Sequence, residues 1–340
     1  MVDTMALLPP FARSARAPRT VALPVVRLTA DDEVLLDVPD DRLGPALVAA
    51  GQGEYARAAE LLAATRASAA WELRDRYVRR LAAFARSRPE WFDSWRTATP
   101  DDPDQLLVAA QLAVTRVWDS PARVELLREL NPLITAAARG DGRDPVPWRL
   151  ALDHARGSLA GHTYFGELWE AAVRRAPLHY GCHVAALRYL AASWQGSHRE
   201  CFDFAGRAAQ DAPAGSLIQA LPARAALGYL TDGGGAEVPH ARLDAAADRA
   251  ITLSASFAAA DPWPAEIRNK LVYVLVRLER WADALEQVRL IGPYATSFPW
   301  SRETDDPLGR FLEIRQEIVR RAASPHPRSG HAGRARSGGH

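Results

Sequence analysis

The spacing of apolar residues predicts α-helices along almost the whole chain, from residue 39 to residue 323. In one segment Leu73, Tyr77, Leu81 and Phe84 recur at intervals of three or four positions, which places them on one face of a helix. The run LVYVLV at residues 271–276 is short enough for a strand, but arginines flank it and favour a helix that is buried on nearly all sides. The pattern predicts an all-α fold.

Aspartate followed by proline marks four predicted helix starts. The Asp carboxylate can accept hydrogen bonds from the free N–H groups of the first helical turn, and Pro at the next position has no N–H that would need a partner. Because the same start signal recurs, we expect the same kind of element to recur. The four pairs are Asp102-Pro103, Asp144-Pro145, Asp261-Pro262 and Asp306-Pro307.

The two ends of the chain differ from this helical region. Residues 20–38 contain two β-branched runs around the sequence TADDE, which predicts a short β-hairpin within an N-terminal extension at residues 1–38. Residues 324–340 are rich in Gly, Ser and Pro and cannot bury enough apolar surface to fold, so we expect a disordered tail. The helical domain is therefore predicted at residues 39–323.

Composition and charge restrict the functional classes. The sequence is 48% hydrophobic and 24% charged, as is usual for a globular protein. Its net charge of +1 provides no overall field that would attract nucleic acid or an anionic membrane, and no apolar stretch is long enough for a transmembrane helix. Two cysteines do not make a disulfide framework, and the N-terminus lacks the apolar core of a secretory signal. We expect a cytoplasmic protein with no membrane partner.

Three segments repeat one pattern of aromatic and small residues. In each, a turn residue precedes an aromatic residue or His by two positions, and a small residue follows three positions later. Small residues at that spacing allow two antiparallel helices to approach closely, as in repeat proteins. The segments are Gly53-Glu54-Tyr55 with Ala58, Gly196-Ser197-His198 with Cys201, and Glu279-Arg280-Trp281 with Ala284.

This pattern resembles the second helix of the tetratricopeptide-repeat (TPR) superfamily. Residues 144–177, 177–213 and 261–293 carry the resemblance best, because a Pro stands at the end of each, where such a repeat often ends. The resemblance implies a right-handed α-solenoid of about six antiparallel helix pairs. It also implies that the first helix of the last repeat presents four residues on the concave face. These are Glu266, Asn269, Tyr273 and Arg277.

The segment HYGCHVAALRYLAASWQGSHREC, residues 179–201, raises the question of a metal site because it contains three His and two Cys. On a helix that runs to a turn near Gly196, His183 and His198 differ in height by about 16 Å, whereas metal–ligand bonds measure about 2 Å. Cys182 points about 100° away from His183 around that helix. We therefore expect no metal and no cofactor, and interpret the cluster as core and groove, with His183 in the groove.

The leading functional hypothesis is a non-catalytic interaction or scaffold protein that holds a partner protein or peptide in the concave face. Trp263 and Trp300 lie in Pro-flanked loops, where packing explains a tryptophan less well and where such side chains can anchor a partner. No catalytic residue is predicted. The predicted partner-binding residues are Glu266, Asn269, Tyr273, Arg277, Trp263, Trp300 and His183.

Two other functional classes stay open. A small-molecule or metal-dependent enzyme is favoured if His154, His179 and His183 converge on one pocket. A nucleic-acid-associated regulator is favoured if the arginine-rich stretch at residues 74–88 joins other basic residues in one stripe. Those arginines, among them Arg74, lie off the apolar face of their helix and are more typical of a solvated surface, so nucleic acid is not the expected partner.

Overall fold

The computed structural model describes residues 27–234 and 237–323. Within them the chain forms sixteen α-helices and two strands of two residues each, and 69% of the described residues are helical. The predicted all-α class is confirmed. The expected tail at residues 324–340, and most of the expected N-terminal extension, lie outside the described residues. None of the described helices combines the length and the apolar character that crossing a bilayer requires.

The helices follow one another with short connections. They are α1 (Leu43–Gly51), α2 (Ala56–Ala67), α3 (Trp71–Ser87), α4 (Glu90–Ala98), α5 (Pro103–Val117), α6 (Arg123–Glu129), α7 (Asn131–Ala138), α8 (Val146–Gly157), α9 (His162–Arg175), α10 (Tyr180–Tyr189), α11 (His198–Asp211), α12 (Leu221–Thr231), α13 (His240–Ala255), α14 (Ala265–Arg277), α15 (Trp281–Ile291) and α16 (Pro307–Ala323).

Helices that are neighbours in sequence pack together, and so do many pairs of helices that are separated in sequence by one other helix. Of the first kind, α14 packs on α15 and α15 packs on α16. Of the second kind, α8 packs on α10, α10 on α12, and α12 on α14, while α3 contacts both α8 and α10. The helices α3, α8, α10, α12 and α14 therefore form a connected set, and their side chains surround the site described below.

The three repeated segments lead into α2, α11 and α15. The small residues that were predicted to allow close packing, Ala58, Cys201 and Ala284, are at most 6% exposed. Before α2 and α15 the turn residues Gly53 and Glu279 both adopt positive φ angles, of 91° and 57°. The repeated sequence pattern thus corresponds to a buried small residue in all three helices and to a positive φ before two of them.

The predicted Asp-Pro starts are confirmed at α5 and α16, whereas at α8 the N-cap is Pro145 and Asp144 precedes it by one residue. Asp102 accepts hydrogen bonds of 2.8 and 2.9 Å from two backbone N–H groups in the first turn of α5. Asp144 and Asp306 accept comparable bonds of 2.8 and 2.9 Å at the starts of α8 and α16. Asp261 instead accepts from the N–H of Trp263, and α14 begins only four residues after Asp261. The fourth pair therefore forms a turn that precedes the helix.

The predicted N-terminal hairpin does not form within the described residues. The strand β1, Leu35–Leu36, pairs in parallel with β2, Tyr294–Ala295, near the other end of the chain. Beside this pair the backbone N–H of Ser297 donates to the Asp37 carboxylate at 3.1 Å. Leu35 and Asp37 thus donate their backbone N–H groups to Pro293 and Ala295, at 2.8 and 2.9 Å, instead of pairing with a second N-terminal strand.

Candidate binding groove and its charged centre

A cavity of about 60 Å³ lies among α3, α8, α10, α12 and α14, and we name it the charged cavity. Six cationic side chains and four carboxylates line it. The cations are Arg76, Arg79, Arg149, Arg188, Arg224 and Lys270. The carboxylates are Glu72, Asp75, Asp153 and Glu266.

Arg149, on α8, is paired with three partners within the protein. Its guanidinium donates to Asp75 at 2.9 Å, to Asp153 at 3.3 Å and to the side-chain oxygen of Gln111 at 2.6 Å. Burial would raise the pKa of Asp75, but the Arg149 and Arg79 guanidinium groups outweigh that effect and lower it to about 2. The charge of Arg149 is therefore neutralised internally, and each of its three nitrogens donates to a partner within the protein.

Glu266 and Lys270 lie one turn apart on α14 and form an ion pair in the cavity wall. The Lys270 ammonium holds the pKa of Glu266 below its ordinary value. Burial lowers the pKa of Lys270, and the Glu266 carboxylate offsets this only in part. The Glu266 side chain is 42% exposed, so the structure places this predicted binding residue where a ligand can reach it.

Arg76 and Trp263 form the wall next to this pair. The Arg76 guanidinium donates to the carbonyl oxygen of Trp263 at 2.6 Å and lies 4.1 Å from the centroid of the Trp263 ring. Burial lowers the pKa of Arg76. Trp263, predicted to bind a partner, therefore lines the charged cavity together with an arginine that the sequence pattern assigned to a solvated surface.

Arg224, on α12, is the cation with the fewest partners. It makes no hydrogen bond and no ion pair with residues 27–234 or 237–323, and its guanidinium carbon lies 5.0 Å from the centroid of the Phe298 ring. Burial, reinforced by the nearby Arg188, lowers the pKa of Arg224 to about 10. The positive charge of Arg224 is directed toward the cavity without a counter-ion among these residues.

Two larger cavities adjoin the charged cavity and share lining residues with it. One, of about 150 Å³, shares Arg76 and Glu266 and lies between the N-terminal segment and β2. The other, of about 260 Å³, shares Arg188 and Arg224. Phe298 lines both larger cavities. We name the three together the groove.

Three of the predicted binding residues belong to the core. Asn269, Tyr273 and Trp300 are 0%, 6% and 1% exposed. The Asn269 side chain accepts from the Trp300 indole N–H at 3.1 Å and donates to the carbonyl oxygen of Tyr294 at 3.2 Å. Because these three residues have almost no accessible surface, they are not partner-binding residues, and we correct that prediction. Their contacts hold α14 against the segment that follows α15.

Arg277, the fourth residue of that predicted face, points elsewhere. Its side chain is 51% exposed, donates to the hydroxyl of Tyr273 at 3.0 Å and lies 3.4 Å from Glu303. It lines none of the three cavities. Of the predicted face on α14, only Glu266 reaches the groove.

The histidine–cysteine segment is divided between core and groove: His179, Cys182 and His183 are buried, whereas His198 and Cys201 line the cavity of about 260 Å³. The helix α10 ends at Tyr189, earlier than expected. His179 caps α10 by accepting a hydrogen bond of 3.2 Å from the N–H of Cys182, and burial lowers the pKa of His179 to about 4. His183 is 6% exposed and packs edge-on against Trp169 at 5.0 Å, so its predicted place in a groove is corrected as well.

The three histidines of the enzyme hypothesis do not meet in the groove. His154 lies 2.6 Å from the carbonyl oxygen of Leu127, and neither it nor His179 or His183 lines any of the three cavities. Among residues 27–234 and 237–323, no three His, Cys, Asp or Glu side chains are placed to hold a metal ion. The convergence that would favour an enzyme does not occur.

The arginine-rich helix α3 directs several of its charges inward. Arg74 is 1% exposed and donates to Asp104 and to Asp144, each at 2.6 Å. The prediction of a solvated face is therefore wrong for Arg74. Because Arg76 and Arg79 line the charged cavity, these arginines do not form an external stripe that would favour nucleic acid.

Sequence reasoning did not find Arg149, Asp75, Asp153, Arg188 or Arg224. They come from four helices that become neighbours only in the fold, so no spacing within one segment indicates them. The sequence contained one indication of the charged cavity: Lys270, which lines it, is the only lysine of the sequence.

The chain matches no protein-family model, no curated protein and no solved structure.

Proposed function

We propose that this protein is a non-catalytic interaction protein that holds a segment of a partner protein or peptide along the groove. The adjacency of the three cavities carries the proposal. The two larger cavities each share two lining residues with the charged cavity, so an extended segment could occupy the three in succession. Such a segment would be recognised by side chains along its length.

The chemistry of the lining supports this proposal. Arg76, Arg188 and Arg224 offer guanidinium groups, and Trp263 and Phe298 offer aromatic faces. Arginine and aromatic side chains are the types that most often carry binding energy at protein interfaces. The partner segment would therefore combine an anionic group with apolar side chains on either side.

The finer architecture and the location belong to the same proposal. We propose a right-handed, TPR-like α-solenoid of antiparallel helix pairs, with the groove on its concave face. The contacts between next-but-one helices and the repeated burial of small residues support it. We also propose a cytoplasmic location, in keeping with Cys182 and Cys201, which are both free thiols and both buried.

Photo-crosslinking tests the proposed function. Ser193 is exposed and lines the groove, so a benzoylphenylalanine at this position should capture a partner in native cells. The same probe at Val48, which is 64% exposed on α1, reports non-specific capture. We expect a discrete protein adduct from position 193 and none from position 48.

A second substitution connects the adduct with the groove. Arg224→Gln should remove the adduct, whereas Arg128→Gln, at an exposed position outside the groove, should leave it unchanged. Equal adducts from positions 193 and 48, or an adduct that survives Arg224→Gln at full yield, would contradict the proposal.

A further inference from the structure

The charged cavity holds more positive charge than its own carboxylates neutralise. Six cations face four carboxylates, which leaves a surplus of two. One of those carboxyl groups adds little negative charge below neutral pH, because burial raises the pKa of Glu72 to about 7. With Lys270 protonated, the surplus is two when Glu72 is ionised and three when Glu72 is protonated; burial lowers the pKa of Lys270 to about 7, and the surplus falls by one where Lys270 releases its proton.

The surplus resides on arginines that have no close carboxylate. Arg149 is neutralised by Asp75 and Asp153, and Lys270 by Glu266. By contrast, Arg76 and Arg224 have no carboxylate within 4.0 Å among the described residues, and Arg188 approaches Asp153 only to 3.8 Å. Removing a cation from water without a counter-ion is costly, so Arg76 and Arg224, whose pKa values burial lowers, favour an anion from outside the chain, and Arg188, which is 42% exposed, adds a third guanidinium beside them.

The size and the donors of the cavity limit what that anion can be. Its volume of about 60 Å³ corresponds to roughly four or five water positions, and a phosphate group has five heavy atoms. Guanidinium groups match phosphate oxygens with paired, charge-assisted N–H donors. Tyr180 also lines the cavity, and burial raises the pKa of its hydroxyl to about 12, so the hydroxyl stays a donor.

We infer that the charged cavity is a subsite for a phosphate group, the dianion of a phosphate monoester, bound by Arg76, Arg188 and Arg224. The two negative charges of that group match the surplus of two. This inference rests on the proposed function for the place of the ligand in the groove, and it deepens that function by naming the group recognised. The phosphate can belong to a phosphorylated side chain of the partner or to a free small molecule.

Calorimetric titration of the full chain with inorganic phosphate at fixed ionic strength tests the subsite. We expect saturable binding of one phosphate per chain, unchanged in the Arg128→Gln variant. Arg224→Gln and Arg76→Gln should each weaken it by about tenfold or more, because each removes charge-assisted hydrogen bonds. Acetate, a monoanion with two oxygens, should bind at least about tenfold more weakly than phosphate to the unmodified chain.

Several results would overturn the inference. They are the absence of saturation up to about 20 mM phosphate, equal affinity for acetate, and an equal loss of affinity in Arg128→Gln and Arg224→Gln. The melting temperature of each variant shows whether it is folded. If both cavity variants fail to fold, the comparison of phosphate with acetate on the unmodified chain decides the matter alone.

Two further titrations identify the source of the phosphate. A phosphoserine peptide that binds more tightly than glycerol phosphate places the group on a protein partner, and equal affinities place it on a small molecule; both results support the subsite. An unphosphorylated peptide that binds as tightly as its phosphorylated form contradicts it. If phosphate binds but no crosslinked adduct forms, the interaction function is refuted and the phosphate subsite stands. If an adduct forms but phosphate does not bind, only the subsite is refuted.

Discussion

Arg76 and Trp263 lie 187 positions apart in the sequence and make two contacts in the fold. The Arg76 guanidinium donates a hydrogen bond of 2.6 Å to the Trp263 carbonyl oxygen. It also packs on the Trp263 indole ring, with its carbon 4.1 Å from the ring centroid. Together they join α3 to the loop before α14 and close one side of the charged cavity. A guanidinium held by a carbonyl and an aromatic face keeps its charge while losing water. The cavity wall thereby carries a fixed positive charge.

Glu72 should make stability depend on pH. Its carboxylate accepts a hydrogen bond of 2.6 Å from the N–H of Tyr180. Burial, with a smaller contribution from Asp75, raises its pKa from the ordinary 4.5 to about 7, although the Tyr180 N–H, Arg79 and Arg76 each act to lower it. Because the unfolded chain loses this proton near pH 4.5 and the folded chain keeps it to about pH 7, Glu72 contributes stability at low pH that is lost as the pH rises through that window.

The variant Glu72→Gln removes this ionisation and keeps an oxygen that can accept from Tyr180. We expect its melting temperature to exceed that of the unmodified protein at about pH 8 and to match it at about pH 4. Thermal unfolding across this range measures the difference. A difference that stays constant with pH would show that Glu72 titrates normally in the folded protein.

Arg74 should be essential to stability. Its two buried ion pairs, to Asp104 and Asp144, each measure 2.6 Å. Arg74→Ala leaves the buried Asp144 carboxylate without a cation and Asp104 with Arg66 alone, and should lower the free energy of unfolding by about 3–5 kcal/mol. Arg96→Ala is the control, because Arg96 is 60% exposed and lies 3.5 Å from Asp93; it should change stability by less than about 1 kcal/mol. Urea unfolding that gives similar losses for both would contradict the buried role of Arg74.

Asn269 and Arg277, both once candidates for the binding face, should behave differently. Asn269→Ala removes the acceptor of the Trp300 N–H and the donor to the Tyr294 carbonyl, and should cost about 1–3 kcal/mol. Arg277→Ala should change stability little, since that side chain is 51% exposed. Urea unfolding of both variants checks this. If Asn269→Ala keeps full stability but prevents capture of the partner, Asn269 is a binding residue after all.

The helix α14 illustrates what could be predicted from the sequence. The apolar run between two arginines predicted a helix buried on nearly all sides, and residues 265–277 form it. Which of its residues face a partner could not be predicted in the same way. The helix is covered by α12, α13, α15 and β2, so polar Asn269 lies inside the protein and no solvent-facing stripe marks the groove. Of the four residues predicted to bind a partner from this helix, Glu266 alone lines the groove, and it lies in the first turn.

The charged cavity could not be predicted from the sequence, for a related reason. A charged residue off the apolar face of a helix is usually solvated, and this expectation failed at Arg74 because its partners, Asp104 and Asp144, stand 30 and 70 positions away. The same holds for Arg149 and Asp75, which are 74 positions apart. Local periodicity predicts helices, whereas pairing between distant charges depends on how those helices pack.

The most direct test of the charged cavity is a crystal structure of the full chain soaked in selenate, a tetrahedral dianion whose selenium scatters anomalously. Selenate keeps its charge across the pH range of interest, so the changes of charge that remain are those of Glu72 and Lys270. We predict an anomalous peak within the charged cavity, with its oxygens in hydrogen-bonding distance of Arg224 and Arg76. A cavity without that peak, in crystals whose exposed arginines carry selenate, would contradict the account.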